Sequence, residues 1–160
     1  MELVFAAVHP NDPLAAGLID ALSEEIARLY ADTYSMDGRS DFRPEAHDES
    51  TDVFVVAFET GARGSVPVGC GAIRRFTPGT GEVKRMYVRP SARGHGVGRA
   101  LLGRLEDEAR RLGYERVILE TGDQQPEALA LYETSGYSRT TPWPPYDTRD
   151  YSRCFEKLLA

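Results

Sequence analysis

Few of the residues that mark specialised function classes are present in this chain. Among its 160 residues there are two cysteines and three histidines. Cys70 and Cys154 lie far apart with no CxxC spacing, which excludes a disulfide framework and reads as two thiols packed inside a reducing compartment. The scattered histidines have no metal-ligand spacing, so no metal is expected. No apolar run approaches the roughly 20 residues of a membrane span. The opening, Met1 to Val8, lacks a basic stretch followed by a long apolar one, so no secretory signal is expected and the cytoplasm is the default location. No basic run is visible, and the formal net charge is −6, which argues against nucleic acid as a partner. Repeats and low-complexity tracts are absent.

What is present is ordinary globular composition, 41% hydrophobic and 28% charged, at a length that suits one domain over 1–160. Leu3, Val4 and Phe5 open the chain. Asn11-Asp12-Pro13 offers a cap and a helix-opening proline. Leu14, Leu18, Leu22, Ile26 and Leu29 then recur at helical spacing, predicting one buried face. Ala31 to Asp52 is polar and acidic, with Tyr34, Phe42 and Pro44, and holds a short helix or an ordered loop. Strands follow at Val53–Phe58, Val66–Phe76 and Glu82–Val88, separated by glycine- and proline-containing turns. A helix from about Arg99 to Leu112 buries Leu101, Leu102, Leu105 and Ala109. Arg116 to Thr121 is a strand, Pro126 opens a helix that Gly136 stops, and a last strand lies around Tyr151 to Leu159. Strands first, then strand–helix–strand–helix–strand, predict a mixed sheet flanked by helices: an α+β domain with one βαβ crossover.

Between the third strand and its helix stands Arg93-Gly94-His95-Gly96-Val97-Gly98. Glycines let the backbone curl and approach an anion, and the turn aims amide N–H groups and the positive end of the helix dipole at one point. Arg93 and Arg99 add cations at the rim. Gly98 is followed by Arg99-Ala100 rather than Lys and Ser or Thr, so this is not a nucleotide-hydrolysing loop. Its GxGxG spacing and mid-chain position also differ from a dinucleotide fold. Alone, the turn leaves two readings open: an anion site, or a tight packing turn.

The string from Glu82 to Tyr137 closely resembles the GNAT superfamily of acyl-CoA-dependent N-acetyltransferases. Arg93, Gly96 and Gly98 match the family's [QR]-x-x-G-x-[GA] loop, Met86-Tyr87-Val88-Arg89-Pro90 its preceding strand end, and Ala128, Leu131, Tyr132, Gly136 and Tyr137 its later helix, with Gln125 in place of the family's Asn. The resemblance implies a splayed, mostly antiparallel mixed sheet with a cofactor-binding core at about 81–137. It implies acetyl-CoA as cosubstrate, wedged between the strands of Met86 and Leu119. The backbone of Met86, Tyr87 and Val88 would meet the pantetheine, the amides of Gly94, His95, Gly96, Val97, Gly98, Arg99 and Ala100 the pyrophosphate, and Gln125 the pantetheine again. An amine would attack the thioester directly. Members of the family often pair through late strands, and an exposed Tyr151–Leu159 edge would allow a homodimer.

An amine with the pKa of lysine must first lose a proton, at a cost of roughly 4–5 kcal/mol at pH 7. Glu82 is the candidate base, or else a solvated strand-end carboxylate or a partner for Lys84 or Arg85. Tyr132 is the candidate acid for the leaving thiolate, or else a core tyrosine. Tyr34, Phe42 and Trp143 would wall the acceptor side, where Asp41, Glu45, Asp48 and Glu49 favour a cation while Arg74 and Arg75 favour a carboxylate. The rival function is a CoA-binding interaction module without turnover.

Overall fold

The computed structural model describes residues 2–31 and 41–160. Seven strands form one sheet: β1 (Glu2–Ala7), β2 (Val53–Gly61), β3 (Gly64–Thr77), β4 (Thr80–Val88), β5 (Arg116–Gly122), β6 (Ser138–Arg139) and β7 (Ser152–Leu158). Their spatial order is β1-β2-β3-β4-β5-β7-β6. Every neighbouring pair is antiparallel except β4 and β5. That exception follows from connectivity, because β4 reaches β5 through helix α2 (Val97–Arg111), and only a crossover returns the chain in the same direction. The expected α+β architecture is observed.

Two layers of side chains hold the helices to the sheet. On one face α2 buries Leu101, Leu102, Leu105 and Ala109 against Val55, Ile73, Val117, Leu119 and Phe155, with Tyr132 of α3 (Pro126–Thr134) in the same layer. On the other face α1 (Pro13–Tyr30) sets Ala15, Leu18 and Leu22 against Phe54, Val56, Cys70 and Tyr87. β2 serves both layers because alternate strand residues point to opposite faces. Asp12 caps α1, its carboxylate accepting from the Leu14 amide at 2.9 Å.

Two expectations need correction and one is narrowed. The buried stripe of α1 is rotated from the leucine spacing: Leu14 and Leu29 are 43% and 40% exposed, while Ala15 and Tyr30 are buried. Small and polar-tipped residues can supply the inward positions, and a leucine count overlooks them. Between Ala31 and Asp52 the described residues hold a single 3₁₀ turn, Pro44–Ala46. Finally, β7 is not an edge strand. β5 pairs along its length, and β6 covers Phe155 and Glu156 from the other side. The sheet's outer strands are β1 and β6.

Candidate active site

β4 and β5 pair only from Thr80 to Val83 on one side and Arg116 to Leu119 on the other. Both strands continue past that point without pairing to each other, so the sheet forks. A β-bulge helps to open it. Cys70 sits opposite Tyr87 and Ala72 opposite Lys84, so Gly71 alone faces both Arg85 and Met86. Arg85 takes φ 54°, a left-handed conformation unusual for a side-chain-bearing residue. Gly71 is where the bulge needs room, since a Cβ there would stand 2.6 Å from Leu105 Cδ1.

Beyond the bulge, the Arg89 N–H donates to the Val68 carbonyl on β3. By strand alternation the polar groups of Met86 and Val88 therefore face away from β3, into the fork. The Val88 carbonyl already accepts from Arg93 Nε at 2.8 Å, which leaves its N–H for a ligand.

A cavity of about 810 Å³ runs from this fork to the glycine turn. Met86, Tyr87, Val88, Arg93, Gly94, Gly96, Val97, Gly98, Arg99, Gln125 and Tyr132 all line it, joined by Leu22, Glu25 and Leu29 of α1. Gly94 and Gly96 have φ of 82° and 81°, and Gly96 is the residue that caps α2. A side chain at either position would strain the turn. His95 and Ala100 are exposed and absent from the lining. The Ala100 amide donates to the Gly96 carbonyl at 3.0 Å, so it is engaged within the helix and not available to an anion as expected.

The two rim arginines are also more engaged than the sequence implies. Arg93 donates to both carboxylate oxygens of Glu25, at 2.7 and 2.9 Å, and so ties the turn to α1. Arg99 reaches α3 through Thr134 and Ser135. Gln125 Oε1 accepts from the Gly122 amide at 3.1 Å and from the hydroxyls of Thr121 and Tyr30 at 3.3 and 3.4 Å. Its amide nitrogen is left for the cavity.

A second cavity of about 380 Å³ adjoins the first and shares Leu22, Met86, Gln125, Ala128 and Tyr132 with it. Tyr132 stands on the common wall, 4% exposed, its ring packed against Tyr137 and Phe155. Burial, reinforced by the charge of Glu120, raises its phenol far above the ordinary value. The phenol is therefore protonated at any working pH and can donate.

Glu82 does not line this second cavity. It is 2% exposed and accepts from Arg74 Nε at 3.0 Å, with Lys84 Nζ at 3.8 Å. Arg74 and Lys84 also hold Asp41, at 2.7 and 3.0 Å. Burial alone would raise the Asp41 carboxyl, but the two cations outweigh it and hold the group down at about 2.

Besides Asp41, the carboxylate lining the second cavity is Glu120, which sequence reading overlooked. It is the first residue of β5 past the last pair with β4 and accepts from Ser152 Oγ at 2.6 Å. Burial raises its carboxyl, against the lowering influence of that hydroxyl and of Lys84 and Arg149. A signal was available: strand alternation puts Glu120 on the face of Ile118, the register partner of Glu82. Tyr146, whose hydroxyl accepts from Lys84 Nζ at 2.7 Å, was also overlooked, because its proline-rich surroundings carry no strand or helix periodicity.

Phe42 packs on Phe54, and Trp143 meets Phe76 and Tyr146 beside a separate 350 Å³ cavity that also contains Glu82. Tyr34 lies outside the described residues. Burial pushes the Cys70 and Cys154 thiols up to about 12 and 11, so neither is a nucleophile at neutral pH. Among the described residues no group of three or more potential ligands could hold a metal, and no helix is long and apolar enough to cross a membrane.

Comparison with known proteins is consistent with this geometry. Residues 19–137 match the model of the acetyltransferase (GNAT) family. The chain is 40% identical over 152 residues to an IAA acetyltransferase from Azospirillum brasilense, covering 93% of this chain and 95% of that one. A solved chain from Klebsiella pneumoniae, provisionally described as an acyl-CoA N-acyltransferase, superposes with TM-score 0.76 at 31% identity, covering 99% and 98%. A GNAT family acetyltransferase from Elizabethkingia anophelis with acetyl-CoA bound shares the fold, with TM-score 0.68 at 16% identity and 98% of each chain covered.

Proposed function

Because this chain belongs to the acetyltransferase (GNAT) family, we propose that it transfers the acetyl group of acetyl-CoA to a primary amine by direct attack within a ternary complex. The observation that carries this reading is the pair of joined cavities with Tyr132 on their common wall. One is long enough for a nucleotide-tailed thioester, the other suits a small acceptor, and the reacting carbonyl belongs where they meet.

The larger cavity takes the cosubstrate. The amides of Gly94, Gly96, Val97, Gly98 and Arg99 stand at the start of α2, where the helix dipole adds to their pull on a pyrophosphate. Met86 and the Val88 N–H meet the pantetheine amides along the fork, and the Gln125 amide nitrogen donates from the opposite side. Arg93 acts through the turn it anchors.

In the transfer, the acceptor's ammonium first gives a proton to a carboxylate. The freed nitrogen attacks the thioester carbon, a C–N bond forms and the C–S bond breaks. The sulfur leaves as a thiolate that takes the Tyr132 proton. The nitrogen's second proton restores Tyr132 through water, and the first passes to solvent. Of Glu82 and Glu120, Glu120 suits the proton-accepting role better, with one hydroxyl donor and a raised affinity for protons. Glu82 is held by two cations, which favours a role in fixing Arg74 and Lys84 beneath the acceptor cavity.

Thiol release from acetyl-CoA against a broad amine panel tests the reading. Release with at least one amine is the expected result. Tight acetyl-CoA binding without release on any amine would instead fit the non-catalytic binding module.

A further inference from the structure

The smaller cavity runs against the charge of the chain as a whole. The protein carries a formal net charge of −6, yet Arg43, Lys84, Arg85 and Arg149 line this pocket against two carboxylates, Asp41 and Glu120. Arg43 donates to the Phe42 carbonyl at 3.2 Å, and the other three cations differ in how far each is engaged. Lys84 is engaged by Tyr146, Asp41 and Glu82. Arg85 turns to α1, where it donates to the Ile19 carbonyl at 3.1 Å and to the Ser23 hydroxyl. Arg149 differs from both. Its guanidinium lies 5.4 Å from the centroid of the Tyr146 ring, and among the described residues it makes no side-chain ion pair or hydrogen bond.

A guanidinium resting on an aromatic face keeps its planar fork of donors turned outward, preset for one carboxylate. Its charge also reaches Glu120, whose carboxyl it lowers. The other groups facing Glu120 are Lys84 and Glu82 from β4, Tyr132 from α3, Tyr146 from the segment before β7, and Ser152 and Cys154 from β7. Glu120 is thus the carboxylate on this wall without a cation in contact, and Arg149, stacked on Tyr146, is the guanidinium whose charge reaches it while making no side-chain hydrogen bond or ion pair among the described residues.

We propose that the acceptor is an amine that also bears a carboxylate, its ammonium placed against Glu120 and its carboxylate against Arg149. The proposal rests on the acetyltransferase reading and names the substrate class of that same site. A polycation is disfavoured by the cationic excess of the lining, and a cavity of about 380 Å³ suits a molecule of amino-acid size. The acceptor's carboxylate takes no part in bond making; it orients the amine towards the thioester.

The test compares α-amino acids and linear amino acids of increasing length, each against its own carboxamide. Two readouts are taken: thiol release from acetyl-CoA, and calorimetric binding to the complex of the protein with CoA. At least one acid should exceed its carboxamide by about tenfold or more in kcat/KM, the scale of one charge-assisted contact. Arg149→Gln should bring that ratio close to one, and Arg149→Lys should recover part of it. Carboxamides used as well as acids throughout, a ratio untouched by Arg149→Gln, or no acid bound or acetylated would each overturn the proposal. Acids that bind in an Arg149-dependent way without thiol release would leave the pocket's ligand class standing and overturn the transferase reading instead.

Discussion

Tyr132 and Glu120 stand within one pocket, and their environments set them opposite tasks. Burial holds the phenol protonated, reinforced by the charge of Glu120, and burial also raises the proton affinity of the carboxyl. If Tyr132 supplies the leaving thiolate's proton, Tyr132→Phe should lower kcat by about a hundredfold with little change in the KM for acetyl-CoA. Turnover near wild type in a steady-state assay would remove Tyr132 from that role. Glu120→Gln should lower kcat and should also stabilise the fold, by an amount that depends on pH. The folded carboxyl titrates above its ordinary 4.5, so ionising it opposes folding. That cost is absent below pH 4.5 and grows as pH rises through the folded value. The variant's melting temperature should therefore exceed wild type at pH 8, and the gain should vanish below pH 4.5. An equal gain at both pH values would show that Glu120 is not strained by ionisation. Glu82 was legible as a candidate base or as a partner for Lys84 or Arg85, but its burial was not. Its partner Arg74 was not, because cross-strand neighbours depend on register.

At the scale of elements, the turn between β4 and α2 carries the sharpest conformational demand. Gly94 and Gly96 both need positive φ, and a side chain in that conformation costs about 1–2 kcal/mol per residue. Gly96→Val should weaken acetyl-CoA binding by about tenfold or more in calorimetry while the far-ultraviolet spectrum stays native. Unchanged affinity would show that the turn does not hold the cosubstrate. The glycine spacing was readable directly, since only glycine meets the conformational demand. The engagement of Arg93 by Glu25 was not readable, because 68 residues separate donor and acceptor and no local pattern links them. The same holds for α1: its helical period is plain in the sequence, but which stripe faces the sheet was settled by Ala15 and Tyr30 packing inward.

For the whole molecule, the fork in the sheet is the organising feature, and a ligand bound there bridges α1, β4, α2 and α3. Acetyl-CoA at about a hundred times its Kd should therefore add about 2.7 kcal/mol to stability, which in a chain of this size raises the melting temperature by roughly 5–10 °C. Differential scanning calorimetry with and without the cosubstrate checks this; an unshifted transition would mean that the cavity is not its site. Acid has a global effect too. Asp41 joins Arg74 and Lys84 with its carboxyl lowered from 3.8 to about 2, so its contribution is intact above pH 3.8 and fades as pH falls towards 2. By itself the sequence determined the order of elements, the parallel crossover, the glycine turn and the tyrosine on α3. Those follow from periodicity, backbone conformational limits and motif spacing, all of which are local. Only the tertiary structure decided where β4 and β5 part, that Glu120 lines the smaller cavity while Glu82 is locked between cations, and that Arg149 makes no side-chain ion pair there among the described residues. Such facts depend on strand register and on side chains distant along the chain meeting at one point, and no stretch of sequence encodes them alone.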